Sequence, residues 1–310
     1  MGESSKPKLV AVQGPTASGK SGFAIRLALR FDGEIVNADS LQRVRHFDIG
    51  TAKPTPEESA RIAHHLFDAI EPAEPTDAGR YLAAARPVIA AIAARGRVPV
   101  VVGGTGLYVR ALLYGLVALP PRNETLRSEY EAILRTQGRE ALVEQLLFQC
   151  PDAPTHIDCR NPARVVRALE VLALTGQPIW RWQAEHRFAE RPYEAFSIAL
   201  NPDPDVLAER IARRSERMVE AGLVEEVKDL LRRFPDRSLK PYGAIGYRQV
   251  LEYLGGGLAY DALAPAITRA TWHYARKQLS WLRTEKNLRW MRPEEESAVA
   301  EEIAAFLARA

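Results

Sequence analysis

The sequence of 310 residues is long enough for one large domain or two smaller ones. Hydrophobic residues make up 46% and charged residues 26%, and a formal net charge of +3 gives no sign of a global polycation. Two cysteines, Cys150 and Cys159, without a C-x-x-C pair exclude a sequence-evident zinc finger and a disulfide framework.

The amino-terminal segment and the small number of cysteines indicate the cellular compartment of the protein. A strand-like apolar run begins at residue 8, which leaves no room for the apolar region of a signal peptide. No apolar run approaches the length of a membrane span. Because few cysteines also suit a reducing compartment, we expect a cytoplasmic protein that does not associate with a membrane.

The first third of the chain alternates between apolar strands and helices. Predicted strands are KLVAVQG (8–14), GEIVNADS (33–40) and the start of VPVVVGGTGLYVRALL (98–113), which breaks at Gly103-Gly104 before a helix. Two further helices are predicted from Ser21 to about Arg30 and over 80–96. Continuous apolar strands separated by helices indicate an α/β fold with a parallel sheet covered on both faces.

Helical periodicity dominates after residue 121. A short strand, AFSIALNP (195–202), interrupts it, and helices are then predicted over 207–233 and 267–283. We therefore assign 1–121 and 193–310 to a P-loop α/β catalytic core with a helical carboxyl-terminal part. Residues 122–192 are predicted to form a helical insertion, after which the strand at 195–202 returns to the sheet.

Basic residues are concentrated near the carboxyl terminus. Residues 239–293 contain nine Lys/Arg against three Asp/Glu. They interleave with aromatic side chains, namely Trp272, Tyr274, Trp281 and Trp290 among Arg276, Lys277, Arg283 and Arg289. A solvated helix face and an RNA-binding surface are both compatible with this pattern.

A phosphate-binding loop follows the first strand. The motif G-x-x-x-x-G-K-[ST] is matched by Gly14, Pro15, Thr16, Ala17, Ser18, Gly19, Lys20 and Ser21. In such a loop the backbone N–H groups and the start of the helix bind phosphate oxygens, the lysine adds a positive charge and the hydroxyl ligates Mg²⁺. The position between a strand and a helix supports a diphosphate site.

Asp39 ends the second predicted strand and has three interpretations. It could be a carboxylate linked to Mg²⁺, a general base, or the N-cap of a following helix. Thr105 lies just after the third strand, where open α/β sheets bind ligands, but it could equally be an N-cap. Gly103 and Gly104 are interpreted as allowing close approach of a substrate to the backbone.

Together these segments resemble the tRNA dimethylallyltransferase family of bacterial type. The resemblance extends over residues 8 to about 290 and is carried by GPTASGKS, NADSLQ, DIGTAKPTPEE, HHLFDAIEP, VVVGGTGLY, RVVRALEVLALTG, AIGYRQ and YARKQLSWLR. It implies that the loop holds the diphosphate of dimethylallyl diphosphate with Mg²⁺. The implied reaction alkylates N6 of adenosine 37, next to the anticodon of tRNA, and releases pyrophosphate.

The resemblance also implies roles for individual residues. Asp39, Thr105 and Arg214 would be catalytic, with Asp39 as the base, and Ser21 and Asp39 would hold the metal. The implied contacts with the tRNA anticodon stem-loop are Asp39, Ser40, Leu41, Gln42, Thr105, Arg127, Asn161, Pro162, Ala163, Arg164, Val165, Arg167, Gly246, Tyr247 and Arg248. A monomer without affinity for DNA is expected.

The sequence departs from the family pattern at two places. Arg43-Val44-Arg45 replaces the usual Val-Tyr-Arg, and Asp158-Cys159-Arg160-Asn161 replaces His-Pro-Asn-Asp. Two other functions are weighed. An adenylate isopentenyltransferase would share the loop and the chemistry, but the insertion and the basic carboxyl-terminal helices favour an RNA acceptor. A small-molecule kinase would need a lid with arginines, and none is evident.

Overall fold

The computed structural model describes residues 6–186 and 188–309, which form two compact units. The first unit contains the chain up to Leu113 and again from Arg191, and the second contains Tyr114–Glu190. The second unit therefore begins before the predicted residue 122, because the chain leaves the first unit where a helix ends at Tyr114.

A six-stranded parallel sheet organises the first unit. Its strands are β1 (Lys8–Gln13), β2 (Gly33–Asn37), β3 (His64–His65), β4 (Val98–Gly103), β5 (Glu194–Leu200) and β6 (Arg289–Met291). Their order across the sheet is β3-β2-β4-β1-β5-β6. The parallel sheet with helices around it confirms the predicted α/β class.

Thirteen α-helices are described in residues 6–186 and 188–309. The first eight are α1 (Lys20–Arg30), α2 (Pro56–Arg61), α3 (Ala78–Ala94), α4 (Gly106–Tyr114), α5 (Glu124–Gln149), α6 (Ala153–His156), α7 (Pro162–Thr175) and α8 (Ile179–His186). The others are α9 (Pro204–Glu220), α10 (Leu223–Arg233), α11 (Tyr247–Leu254), α12 (Tyr260–Leu282) and α13 (Glu296–Ala308). Two 3₁₀ turns occupy Lys240–Gly243 and Pro293–Glu295.

Two apolar clusters stabilise the first unit. One lies between the sheet and helices α1 and α13, and the other joins α10, α11 and α12. The helix predicted over 207–233 is two helices, because Gly222 has φ +94°, a left-handed conformation that glycine adopts without strain. None of the helices among the described residues is long and apolar enough to cross a membrane.

The end of the basic-aromatic segment is not helical. Arg289 and Trp290 lie in β6, at the edge of the sheet. The Arg289 guanidinium is bonded to Glu302 of α13 at 3.1 Å, so the acidic tail compensates its charge. The interleaved basic and aromatic residues of 239–293 therefore do not all lie on helices, since Arg289 and Trp290 belong to a strand.

The second unit packs α5, α7 and α8 around an apolar core. Helix α5 is interrupted at Gly138, where φ is +85°. Glu170 is completely buried, accepts the Asn123 N–H at 2.6 Å and is bonded to Arg167 at 2.7 Å. Glu170 therefore connects the start of α5 to α7.

Candidate active site

The phosphate loop joins β1 to α1 and is closed by its own backbone. The Ser18 N–H donates to the Pro15 carbonyl at 3.2 Å, and Lys20 Nζ donates to the same carbonyl at 3.2 Å. Ala17 and Gly19 both have positive φ, at +62° and +87°. The first N–H groups of α1 have no acceptor within the helix, so they are available to an anion.

The charge of Lys20 is only partly compensated. The pKa of Lys20 is lowered to about 8, mainly by burial; attraction to Asp39 opposes this shift, and repulsion from Arg214 adds to it. A buried cation in this state gains most from a bound anion, because the anion restores the Coulomb energy that water no longer supplies.

Asp39 is held in a tight turn after β2. Its Oδ1 accepts the Leu41 N–H at 2.9 Å and the Gln42 N–H at 3.4 Å, while its own N–H donates to Asn37 Oδ1 at 2.9 Å. Residues 40–55, all of which the structure describes, form turns and not a helix. The N-cap interpretation of Asp39 is therefore wrong, and Oδ2 is left for chemistry.

Thr105 connects the two loops that border the site. Its hydroxyl accepts the Ser40 N–H at 3.0 Å, and its own N–H donates to the Ala38 carbonyl at 3.3 Å. The side chain thus orients the turn that carries Asp39.

Helix α9 presents two arginines to the phosphate loop. Arg214 lies beside Asp39 and Lys20, and burial lowers the pKa of its guanidinium while Asp39 raises it. Arg210, one turn earlier, donates to the Ser18 carbonyl at 3.4 Å. Sequence reasoning missed Arg210, although the i, i+4 spacing places it on the same helix face as Arg214.

A cavity of about 360 Å³ contains these groups. Its polar lining includes Thr16, Lys20, Ser21, Asp39, Ser40, Gln42 and Arg214. Its apolar lining includes Ile25, Ile35, Val102, Met218 and Ile267. Cations and hydroxyls next to an apolar wall suit a diphosphate that carries a short hydrocarbon.

Ser21 and Asp39 line the same cavity, and the oxygens of both side chains are ligands of the kind that Mg²⁺ takes. Such an ion usually binds one or two protein oxygens and completes its shell with substrate phosphates and water. Within the described residues no group of three or more His, Cys, Asp or Glu could hold a metal by itself.

Gly103, the last residue of β4, and Gly104 lie against other segments of the protein. A Cβ on Gly103 would lie 2.2 Å from the Ala38 carbonyl, and one on Gly104 would lie 2.4 Å from Gln278 Nε2. These contacts explain why both positions lack a side chain. Gly103 also lines the cavity, and close approach of a substrate to its backbone stays a prediction.

The predicted tRNA contacts differ in exposure. Ser40, Leu41 and Gln42 line the cavity with Asp39, whereas Asn161, Ala163, Arg164 and Arg248 are exposed on α7 and α11 or at their starts. Partly exposed Arg127 is bonded to Glu131 at 3.0 Å, and Arg167 to Glu170.

Three of the predicted tRNA contacts are buried in the structure. Val165 and Tyr247 are fully buried, and the Tyr247 hydroxyl donates to Glu226 at 2.6 Å. Neither side chain can contact RNA in this structure, because Val165 packs in the core of the second unit and Tyr247 packs against Phe47. Gly246 is buried as well, before the start of α11.

The departure at residues 43–45 is accommodated by aromatic packing. Arg43 is only 3% exposed, and its guanidinium lies 5.5 Å from the ring of Tyr81, which stacks on Tyr108. Arg45 is exposed and bonded to Glu71 at 2.6 Å. The added positive charge at residue 43 therefore points into the protein.

Comparison with known proteins gives a consistent result. A family model described as IPP transferase matches residues 42–285. The chain is 45% identical over 279 residues to the tRNA dimethylallyltransferase of Geobacter sulfurreducens, covering 90% of each. It is 43% identical over 300 residues to tRNA dimethylallyltransferase 1 of Trichlorobacter lovleyi, covering 97% of this chain and 98% of that one.

A solved structure is similar over the same length. The full-length tRNA isopentenylpyrophosphate transferase of Bacillus halodurans superposes with a TM-score of 0.72 at 37% identity. The match covers 97% of this chain and 96% of that one.

Proposed function

The chain belongs to the IPP transferase family, and from this premise we propose that it transfers a dimethylallyl group from dimethylallyl diphosphate to N6 of adenosine 37 in tRNA. The observation that carries the proposal is one cavity that brings Lys20 of the phosphate loop together with Asp39 and Arg214. A base beside a cationic diphosphate site suits displacement at the carbon that bears the diphosphate.

The residues of the cavity account for each bond change. The N6 lone pair forms a bond to C1 of the dimethylallyl group while the C1–O bond breaks, and pyrophosphate leaves with the electron pair. Asp39 Oδ2 accepts the N6 proton, since Oδ1 is held by backbone N–H groups. Lys20, Arg214 and the first N–H groups of α1 stabilise the charge on the leaving diphosphate.

Magnesium fits this arrangement. Ser21 and Asp39 would hold the ion together with oxygens of the diphosphate and water. When bound, it would neutralise part of the charge that develops on pyrophosphate.

We propose that the helical unit Tyr114–Glu190 binds the anticodon stem-loop. Exposed Arg164 and partly exposed Arg127 offer charge to RNA phosphates, and Arg248 does so in the first unit. An enzyme that alkylates a stacked adenine must also flip it out, at a cost of about a few kcal/mol. We propose that the enzyme acts as a monomer in the cytoplasm, which agrees with its two free cysteines.

The test is transfer of labelled dimethylallyl diphosphate to three parallel acceptors: total tRNA, AMP and none. Label in tRNA would support the proposal. Label in AMP alone would indicate an adenylate isopentenyltransferase, and consumption of ATP without any label would indicate a kinase.

A further inference from the structure

Gln278 of α12 connects two loops that are far apart in sequence. Its side chain is buried, with 8% exposure, and its Oε1 accepts the Thr16 N–H at 2.8 Å. Its Nε2 donates to the Gly104 carbonyl at 3.0 Å. Thr16 belongs to the phosphate loop after β1, and Gly104 belongs to the turn after the neighbouring strand β4.

The contact between α12 and this turn is close at two points. Besides the short distance at Gly104, a Cβ on Gly106 would lie 2.1 Å from Nε1 of Trp281, one turn after Gln278. The guanidinium of Arg110 in turn lies 4.1 Å from the centre of the Trp281 ring. The turn after β4 is therefore in close contact with α12 at Gly104 and Gly106, beside a cavity of about 220 Å³ that the turn and the helix also line.

This turn also positions the base. Thr105 follows Gly104 and accepts the N–H of the residue after Asp39 at 3.0 Å. Three hydrogen bonds and the peptide bond between Gly104 and Thr105 thus connect the phosphate loop through Gln278 to the turn of Asp39. Its two ends are the groups that would hold the leaving diphosphate and accept the proton.

We propose that Gln278 is a positioning residue that fixes the separation between the bound diphosphate and Asp39. The inference rests on the proposed function. Displacement at carbon requires the reacting atoms to be held about 3–3.5 Å apart, and a shift of about 1 Å can cost about 100-fold in rate. A buried amide with both of its groups bonded to two different loops provides such a constraint.

The first test is Gln278→Met, which keeps the volume and removes both hydrogen bonds. We expect kcat to fall at least about tenfold, while the KM for tRNA and the affinity for Mg²⁺-pyrophosphate change less than about threefold. Val299→Ala is the matched control, because Val299 of α13 is fully buried in the core between the helix and the sheet and does not line the cavity. It should lower the free energy of unfolding without lowering kcat.

The second test is Gln278→Glu, which keeps the size of the side chain and can still accept the Thr16 N–H but cannot donate to the Gly104 carbonyl. We expect kcat to fall at least about tenfold here as well, because the bond to the turn after β4 is lost. The KM for tRNA should again change less than about threefold. A kcat equal to that of the wild-type protein would show that the bond to Gly104 has no part in positioning.

The outcomes distinguish a failure of the role of Gln278 from a failure of the proposed function. Transfer by the wild-type protein with an unchanged kcat in Gln278→Met would overturn the role of Gln278 alone. A fall in kcat that is matched by Val299→Ala at equal loss of stability would also overturn it. Absence of transfer by the wild-type protein would reject the proposed function and this role with it.

Discussion

Buried charge is compensated to different extents at the two ends of strand β2. Glu34, near the start of the strand, is only 3% exposed and accepts bonds from His65 at 2.6 Å, Arg95 at 2.8 Å and Arg97 at 3.2 Å. Burial opposes ionisation here, but the bonds from Arg95, His65 and Arg97 prevail and lower the pKa of Glu34 to about 2. The charge of Glu34 is compensated by the protein itself.

At the other end of β2 the compensation is incomplete. Lys20 and Arg214 both lie beside Asp39, yet burial lowers the pKa of each cation. Two cations face one carboxylate, which leaves excess positive charge for a bound anion. A buried charge whose protein partners are complete serves the fold alone, whereas one whose partners are incomplete is available to a ligand.

The largest expected effect is that of Asp39→Asn. We expect transfer to fall by about 10²–10⁴-fold, because an amide cannot accept the N6 proton. The free energy of unfolding should hardly change, since the amide oxygen can still accept the Leu41 N–H. Single-turnover transfer of label and chemical denaturation measure the two quantities. A variant that retains wild-type turnover would contradict the assignment of the base.

Lys20→Met is expected to weaken binding of Mg²⁺-pyrophosphate by about 100-fold, because it removes a charge that the protein does not fully compensate. In the wild-type protein the affinity should decline as the pH rises through about 8, where Lys20 loses its proton. Titration calorimetry between pH 7 and pH 9 checks this. The same titrations on Lys20→Met are the control, because the affinity of this variant for Mg²⁺-pyrophosphate should not decline over that pH range.

Glu34→Gln should affect stability and leave catalysis unchanged. Neutralising Glu34, the one buried charge of this cluster, should cost about 1–3 kcal/mol, because three hydrogen bonds lose a charged acceptor while the half-exposed Arg95 and Arg97 stay solvated. Chemical denaturation should show this loss, while kcat per folded molecule stays at the wild-type value. A large decrease of kcat in folded Glu34→Gln protein would contradict the assignment of Glu34 to stability alone.

The same cluster predicts how stability depends on pH. The folded-state pKa of Glu34 lies below its ordinary value. Ionised Glu34 therefore contributes to the free energy of unfolding above about pH 4.5, and this contribution is lost as the pH falls towards 2. It amounts to about 3 kcal/mol by linkage. Denaturation curves of wild type and Glu34→Gln should therefore converge as the pH falls through this range.

The smallest effect concerns an exposed charge. Arg164→Ala should weaken tRNA binding a few-fold and reduce the salt slope of log K by about 0.7–0.9, as expected for one lost phosphate contact. Arg30→Ala, on the exposed face of α1, is the matched control. Equal salt slopes in wild type and Arg164→Ala would remove Arg164 from the RNA surface.

The parts of the site that the sequence predicts are those with local signals. The phosphate loop is a contiguous motif between a strand and a helix, and Asp39 ends an apolar strand, so both could be identified from neighbouring residues. The strands β3 and β6 are two and three residues long, which is too short for periodicity to reveal.

The contacts that the sequence could not reveal depend on tertiary packing. Gln278 is separated from Thr16 by 262 positions, and Arg210 from Ser18 by 192. Likewise, the neighbours that crowd Gly103 and Gly104 are Ala38 and Gln278, which lie in other segments of the chain. Exposure of Val165 and Tyr247 could not be judged either, because each lies in a motif that also contains exposed residues.

The strand order has a consequence for synthesis of the chain. β1 pairs with β4 on one side, but on the other side Lys8 is paired with Glu194, beyond the whole helical unit. At about 5–20 residues per second, the ribosome makes β5 on the order of ten seconds or more after β1. During that interval one edge of β1 is open to pairing with other chains. The strand that leads into the phosphate loop is therefore the part of the nascent chain that most needs protection from aggregation.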